Sequence, residues 1–175
     1  MHVPAQSIIR QHSFSNSSIY LRVAIISLLM CFGSSLKCWS QETKGFRFDK
    51  LIISTQQKRI TFQIEIAETN SQRAQGLMWR KKLTKNTGML FDYKIVDHVF
   101  MWMKNTLISL DMIFISKTGR IINIVKYTTP HSTEIIASRG PVRAVLEVPA
   151  GTTSEYNIQI GDRVIHQIFD PKRPT

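Results

Sequence analysis

Regular alternation of apolar and polar residues predicts that much of this chain forms β-strands. In the segment 59–66 every second side chain is apolar: Ile60, Phe62, Ile64 and Ile66. Successive side chains of a strand point to opposite faces, so this spacing indicates one buried face and one face in water. The segment 46–53 is predicted to be the preceding strand, joined to this one by a turn at 54–58.

The remaining pattern predicts a β-rich α+β fold. Strands are expected over residues 46–53, 59–66, 88–93, 98–105, 112–115, 121–127, 142–148 and 164–169. The turn sequence at 116–119 joins two of them into a β-hairpin. Because strands and helices do not alternate, we predict a mostly antiparallel small barrel, or two packed sheets, with one or two short helices.

Two short helices are expected between the strands. Residues 68–71 offer several N-cap side chains, so a helix can run over 72–78. Gly76 lies near its end, where a left-handed residue is often needed. A single helical turn over 152–156 would be capped by one of its two threonines, Thr152 or Thr153.

The densest apolar segment, residues 98–115, also carries charged and amide side chains. Read as a strand over 98–105, it places His98, Phe100, Trp102 and Lys104 on one face. The opposite face takes Val99, Met101, Met103 and Asn105. Both faces are largely apolar, so we expect this strand to be covered on both sides.

Polar groups inside so apolar a segment must find partners or lie at its edge. One interpretation is a central strand whose polar end emerges at the rim of the core, which is the commoner arrangement. The alternative is a pocket lined by Trp102, Lys104, Asn105 and Asp111.

Under either interpretation we expect the charged side chains of this segment to form one cluster. Lys104 and Asp111 both need partners, and few embedded charges elsewhere can supply them. The candidates are Glu147 and at least one of Arg73 and Arg80.

Residues 1–40 resemble an export signal. Two arginines precede an apolar run over 23–36, and no Asp or Glu occurs before Glu42. The run is shorter than the roughly 20 residues that span a membrane, and small residues suit cleavage after Ser40. An uncleaved N-terminal anchor is the alternative. We expect a periplasmic or secreted protein after cleavage, and a membrane-anchored one if the leader is retained.

The rest of the chain is expected to hold one domain. Residues 41–58 would form a tether and the first strand, 59–169 the domain, and 170–175 a frayed tail. Both cysteines, Cys31 and Cys38, fall in the leader. The domain is therefore expected to contain no disulfide, no thiol nucleophile and no thiolate metal site.

The basic charge survives removal of the leader. Without Arg10, Arg22 and Lys37, 20 of the 23 basic residues remain against 12 acidic ones, a net charge of +8. Such a surface attracts anionic partners, and peripheral contact with an anionic membrane surface is one expectation. We expect no nucleic-acid partner, because basic runs with interleaved aromatic residues are absent.

An ordered series of short motifs matches a known family. The motifs are Arg73, Gly76-Leu77-Met78, Arg80, Gly88-Met89-Leu90-Phe91, Trp102-Met103-Lys104-Asn105-Thr106, Leu110-Asp111, Gly119, Gly140-Pro141, Leu146-Glu147, Ala150-Gly151 and Gly161-Asp162. In these residues the chain resembles the domain of unknown function 192 family over residues 60–165.

The resemblance implies a small, β-rich protein of a kind that is often exported. No biochemical activity is established for the family, so the resemblance implies a fold and candidate positions and not a reaction. The chain departs from the family at Ser109, where Pro commonly precedes Leu-Asp, and at Ala144, where Tyr is common. Ser109 weakens the expectation of a rigid bend before Asp111.

Catalysis is one alternative function. Ser109, Asp111 and either His98 or His131 would be the members of a serine triad, but the sequence lacks a Gly-x-Ser-x-Gly elbow. Asp111 and Glu147 could instead act as acid and base on an envelope glycan. The simpler interpretation is that Asp111 caps a turn and Glu147 pairs with Lys104 or Arg80.

Copper handling is a second alternative. Thioethers select Cu(I), and five methionines lie close to His98 in sequence: Met78, Met89, Met101, Met103 and Met112. Methionine also fills irregular cores, and these residues are embedded among Leu, Phe and Trp. We therefore favour a place in the core, and we expect no metal and no cofactor.

We favour a non-catalytic binding or accessory module for an anionic, glycan or peptide ligand of the envelope. A Trp beside a Lys, an amide and a carboxylate can hold such a ligand without catalytic geometry. The residues expected to bind it are Trp102, Lys104, Asn105, Asp111, Glu147, Arg73 and Arg80.

Overall fold

The computed structural model describes residues 45–170 of the chain. Its elements are β1 (Arg47–Ser54), β2 (Arg59–Ala67), α1 (Asn70–Gln75), β3 (Thr87–Asp97), β4 (Phe100–Met101), β5 (Leu110–Ile115), β6 (Ile121–Val125), β7 (Ile136–Ala137), β8 (Val142–Pro149), α2 (Thr152–Glu155) and β9 (Arg163–Ile165). The predicted export signal and most of the predicted tail lie outside the described residues. No helix within residues 45–170 has the length and apolar character needed to cross a membrane.

Seven strands form a nearly closed barrel in the order β6-β5-β8-β3-β2-β1-β9. The pairings within it are antiparallel except that of β2 with β3, which is parallel and therefore requires the crossover that contains α1. The two edges meet through backbone hydrogen bonds, from Ile121 N to Asp162 O (3.0 Å) and from Val164 N to Gly119 O (2.7 Å). The prediction of a mostly antiparallel small barrel is confirmed.

Apolar side chains form two separate clusters, one on each face of the sheet. The barrel interior holds residues such as Leu51, Phe62, Ile64, Leu146 and Val148. The second cluster, which we call the outer core, covers the outer face of β3, β5 and β8 and includes Leu77, Phe91, Met103, Met112, Phe114 and Val145. Alternate residues of one strand therefore enter different cores, because successive side chains point to opposite faces.

The segment 98–105 is not the central strand that its apolar character predicts. Only Phe100–Met101 is a strand, and it pairs with the two residues of β7 in a small separate sheet. The predicted alternation is present, since Val99 and Met103 are buried while Phe100 and Trp102 are 67% and 50% exposed. The expectation of cover on both faces was wrong because this segment packs against the outer core with one face only.

The chain turns sharply just after this segment. Thr106 N donates to Met103 O over 3.0 Å, and Asn105 has a φ of 58°. Asparagine tolerates this left-handed conformation better than most residues, because its short polar side chain can bond locally. The turn separates β4 from β5 and directs the chain back into the barrel.

A capping box begins the first helix, which starts at Asn70, two residues before the predicted start at 72. The Thr69 side chain accepts a hydrogen bond from Gln72 N, and the Gln72 side chain accepts one from Thr69 N. The helix ends at Gly76, whose φ is +48°. A Cβ at Gly76 would lie 3.0 Å from the Phe91 ring, so glycine here permits both the turn and the close packing of α1 on β3.

The second helix begins differently from the prediction. Gly151 occupies its N-cap position, and no side chain caps it. The hydroxyl of Thr152 donates to Pro149 O, and that of Thr153 donates to Asp111. Both hydroxyl groups therefore donate hydrogen bonds to residues of the preceding strands instead of capping the helix.

Candidate functional site

A cavity of about 260 Å³ lies on the outer face of the barrel. Its wall is formed by residues 73–78 at the end of α1, by Phe91 and Tyr93 of β3, and by Glu147 of β8. The segment after β3 completes it with Phe100, Met101, Trp102, Lys104 and Thr106. The cavity therefore lies where the outer core meets solvent, and the filled barrel interior does not contribute to it.

Glu147 is the buried polar group of this cavity. It is 4% exposed and lies in register with Met89 of β3 and Met112 of β5, so it points toward the outer core. It accepts no hydrogen bond and forms no ion pair with the residues that the structure describes. Removal from water raises the pKa of Glu147 to about 8, so the carboxyl is mostly protonated at neutral pH.

Tyr93 lines the cavity together with Glu147 and Arg73, and the charges of both act on its hydroxyl group. Burial, reinforced by the charge of Glu147 and partly offset by Arg73, raises the pKa of Tyr93 to about 12. Its hydroxyl donates to the Met101 sulfur over 3.1 Å. Tyr93 is therefore a neutral, polar-tipped wall of the cavity at physiological pH.

Arg73 holds the helix to the barrel. Its Nη1 donates to Glu68 O (3.0 Å) and Asp92 O (2.7 Å), while its Nη2 bonds the side chain of Asn70. The guanidinium also lies 5.3 Å from the centre of the Tyr93 ring, within the range of a cation–π interaction. Arg73 lines the cavity as predicted, but its donors are largely occupied by structural bonds.

Trp102 and Lys104 lie together at the mouth of the cavity. Both are exposed, and Lys104 Nζ is 5.3 Å from the centre of the Trp102 ring. Lys104 forms no ion pair with a described carboxylate. Its ammonium group can therefore interact with a ligand without first breaking a salt bridge.

Three of the seven residues predicted to bind a ligand are not among those that line the cavity. Arg80 makes a two-pronged ion pair with Glu65, with both N–O distances 2.6 Å. Asn105 lies at the turn and donates weakly to the Met78 sulfur over 3.8 Å. The third is Asp111, which lies on the other face of the sheet.

Asp111 is saturated by hydrogen bonds on the barrel side. Its Oδ1 accepts from Tyr127 N (3.0 Å) and Gly151 N (3.2 Å), and its Oδ2 accepts from Thr153 N (2.9 Å) and Thr153 Oγ1 (2.6 Å). The simpler interpretation, that Asp111 caps a turn, is therefore confirmed. The expectation of one cluster containing both Asp111 and Glu147 was wrong, because amide and hydroxyl groups replace the expected cation.

The same geometry excludes an acid–base pair of Asp111 and Glu147. Asp111 is in register with Val148, whereas Glu147 is in register with Met112. Paired residues share a face of a sheet, so the two carboxyl groups project from opposite faces. They cannot flank one glycosidic bond, as two catalytic carboxylates must. Glu147 does not form the expected ion pair either, since Arg80 pairs with Glu65.

Ser109 is also engaged elsewhere. Its hydroxyl donates to Thr128 O over 2.7 Å, which fixes the bend before β5. His98 and His131 are both exposed. Nothing in this arrangement resembles a nucleophile activated by a histidine.

The methionines belong mainly to the outer core. Met89, Met101, Met103 and Met112 are buried there, as expected of residues that fill an irregular core. Met78 is half-buried and lines the cavity, while His98 is exposed. No group of three or more His, Cys, Asp or Glu side chains within residues 45–170 could hold a metal ion.

Several cavity residues were missed by sequence reasoning. Tyr93, Phe100 and Thr106 line the cavity, together with the backbone around Gly76. Their positions depend on the packing of α1 against β3 and on the turn at 105, which are tertiary features. The available signal was alternation, which correctly places Phe100 on the same face as Trp102 and Lys104.

Fold and site together define a small β-barrel domain with a ligand-sized cavity on its outer face. The chain belongs to the domain of unknown function 192 family (DUF192, described as an uncharacterized ACR), whose model matches residues 51–166. No curated protein matches the chain.

Two solved structures are similar to this chain. A suggested transcription regulator from Sinorhizobium meliloti is 40% identical, with a TM-score of 0.68, and the match covers 69% of this chain and 95% of that one. A protein of unknown function from Novosphingobium aromaticivorans is 32% identical, with a TM-score of 0.69, and the match covers 71% and 89% respectively.

Proposed function

We propose that this protein is a non-catalytic binding or accessory module that holds part of an anionic, glycan or peptide ligand of the cell envelope in the cavity beside Glu147. The supporting observation is a buried carboxyl group without a described partner that faces the cavity. Buried polar groups in native proteins are nearly always hydrogen-bonded, so an exception requires an explanation. A bound ligand would supply the missing bonds.

The mouth of the cavity supports the same proposal. Phe100 and Trp102 remain 67% and 50% exposed, and both line the opening. Exposed apolar surface next to a concave site is typical of ligand binding. Lys104 adds a cation there, and the net charge, +11 for the whole sequence and +8 without residues 1–40, favours the approach of anionic material.

Binding is preferred to catalysis because the cavity holds one isolated carboxyl. The other buried carboxyl considered for catalysis, Asp111, projects from the opposite face of the sheet. Arg73 and Tyr93 are engaged with neighbouring groups. A ligand could be oriented by these residues, but no second carboxyl group of the described residues lines the cavity to serve as the other member of an acid–base pair.

The role suggested for the Sinorhizobium meliloti relative concerns transcription. For this chain we propose no nucleic-acid partner, since the cavity accommodates a small group and not a duplex. Duplex DNA therefore serves as a competitor in the test.

The test is capture of envelope material by the immobilised protein and its variants. We expect Trp102→Ala and Lys104→Ala each to weaken capture about tenfold or more, because buried aromatic and charged contacts dominate binding. Trp79→Ala and Lys81→Ala are the matched controls, since both side chains are exposed and neither lines the cavity. Excess duplex DNA should leave capture unchanged.

Thermal unfolding of each variant separates binding from stability. All four side chains are exposed, so all four variants should unfold within a few degrees of the parent protein. Undiminished capture by both Trp102→Ala and Lys104→Ala, at full stability, would contradict the proposed site.

A further inference from the structure

Within residues 45–170, three carboxyl groups are buried, and Glu147 differs from the other two in its surroundings. Asp92 forms an ion pair with Arg143, and Asp111 accepts four hydrogen bonds. Glu147 has neither kind of partner and lines the cavity. Its complement must therefore come from whatever occupies the cavity.

The charges around the cavity limit what that complement can be. Arg73 and Lys104 both line it, and Tyr93 is neutral. A ligand ammonium would be repelled by the two cations, and it would require Glu147 to ionise in a site where an ion pair gains little over its desolvation. A neutral ligand group avoids both penalties.

A protonated carboxyl group donates one hydrogen bond through its O–H and accepts another through its carbonyl oxygen. A carboxamide presents the same two functions in reverse, an N–H donor beside a C=O acceptor. Two parallel hydrogen bonds can then form between neutral partners. A hydroxyl group cannot bond both carboxyl oxygens in this side-by-side geometry.

The residues at the mouth of the cavity indicate which kind of molecule carries this amide group. Phe100 and Trp102 offer flat apolar faces to solvent, and a volume of about 260 Å³ accommodates one sugar-sized unit. We propose that the cavity binds an acetamido sugar, with its amide against Glu147 and its ring at Phe100 and Trp102. This inference rests on the proposed function, and it assigns Lys104 to any anionic substituent of the sugar.

The test compares three sugars that differ at one substituent: N-acetylglucosamine, glucosamine and glucose. In NMR titrations of the purified protein at pH 7, N-acetylglucosamine should shift the backbone amide signals of Gly76, Tyr93 and Thr106. Glucosamine and glucose should bind about tenfold or more weakly, because neither carries a carboxamide, and two neighbouring hydroxyls lack its fixed, coplanar donor and acceptor. N-acetylglycinamide, an amide without a sugar ring, should also bind about tenfold more weakly.

The pH dependence gives a second, independent readout. Affinity for N-acetylglucosamine should be constant from pH 6 to 7 and fall about tenfold per pH unit well above pH 8, as Glu147 loses its proton. Glu147→Gln, which presents an amide in place of the protonated acid, should abolish this dependence. Glu147→Leu should abolish binding while circular dichroism shows an unchanged fold.

Three outcomes would overturn the inference: tighter binding of glucosamine with affinity that rises with pH, equal binding of N-acetylglycinamide, or undiminished binding by Glu147→Leu. Absence of any N-acetylglucosamine binding would overturn it as well. If capture of envelope material still depends on Trp102 in that case, the proposed function stands and only the acetamido ligand is excluded.

Discussion

The two buried carboxylates of neighbouring strands, Asp111 on β5 and Glu147 on β8, have opposite surroundings. They lie one register position apart and are 0% and 4% exposed. Asp111 accepts four hydrogen bonds on the barrel side of the sheet, whereas Glu147 accepts none from the described residues on the outer side. The face of the sheet, and not the depth of burial, decides which group is structural.

This difference separates two ways of burying an acid. Asp111 can be buried because three backbone amides and a hydroxyl donate the hydrogen bonds that water would otherwise supply to the carboxylate. Glu147 is buried in its protonated, neutral form, because its pKa is raised to about 8. The first solution stabilises the fold, and the second leaves a hydrogen-bonding group directed at the cavity.

The largest effect is expected from Asp111→Ala. Its removal leaves the amides of Tyr127, Gly151 and Thr153 buried without an acceptor, which should lower the free energy of unfolding by about 4 to 5 kcal/mol. Urea denaturation measures this change. Asp97→Ala is the matched control, since that carboxylate is exposed, and it should change stability by less than about 0.5 kcal/mol. Equal effects of the two substitutions would show that the four hydrogen bonds to Asp111 do not stabilise the fold.

The next effect is a pH dependence of stability that belongs to Glu147. Its pKa of about 8 in the folded protein lies above its ordinary value of 4.5, so the native state holds this proton more tightly than the unfolded chain. Stability contributed by the neutral carboxyl is therefore complete below pH 4.5 and is lost as pH rises toward 8. The loss should amount to roughly 1 kcal/mol per pH unit over this interval.

Glu147→Gln isolates that contribution. Other groups also titrate over this range, so the quantity to measure is the difference in unfolding free energy between the parent protein and the variant at several pH values. This difference should move in favour of the variant by roughly 4 kcal/mol between pH 4.5 and 8, and level off above about pH 9. A difference that is independent of pH would mean that Glu147 is ionised in the folded protein.

A smaller effect is expected from Thr153→Val. This substitution removes only the hydroxyl that donates to Asp111 over 2.6 Å and keeps the side-chain volume. A hydrogen bond to a charged group contributes about 1.5 to 2 kcal/mol, so the loss of unfolding free energy should be of that size. Thr153→Ser retains the hydroxyl and should recover most of it. A neutral Thr153→Val would show that the backbone amides alone satisfy Asp111.

Much of the fold follows from local patterns in the sequence. The alternation of Ile60, Phe62, Ile64 and Ile66 predicts β2, and the turn at 116–119 predicts the hairpin of β5 and β6. Both depend on near neighbours in the chain. The parallel pairing of β2 with β3 could not be predicted in this way, because it depends on how the crossover that contains α1 packs back onto the sheet.

The candidate site could be predicted only in part, because the sheet buries side chains on both of its faces. Trp102, Lys104, Arg73 and Glu147 were singled out and do line one cavity. The prediction that Asp111 joins this cluster is wrong because it rests on the rule that a buried charge needs an opposite charge, whereas hydrogen-bond donors satisfy Asp111 instead. Sequence alone does not show that the amides of residues 127, 151 and 153 converge on it, since these come from two separate loops.

The position of the cavity outside the barrel has a consequence for substitutions in its wall. The interior of the barrel is filled by its own side chains, so its packing imposes no condition on what the cavity binds. The cavity wall is supplied mainly by residues 73–78 and 100–106, which join or flank the barrel strands. Substitutions in these two segments can therefore change the shape and charge of the cavity while the barrel interior keeps its packing.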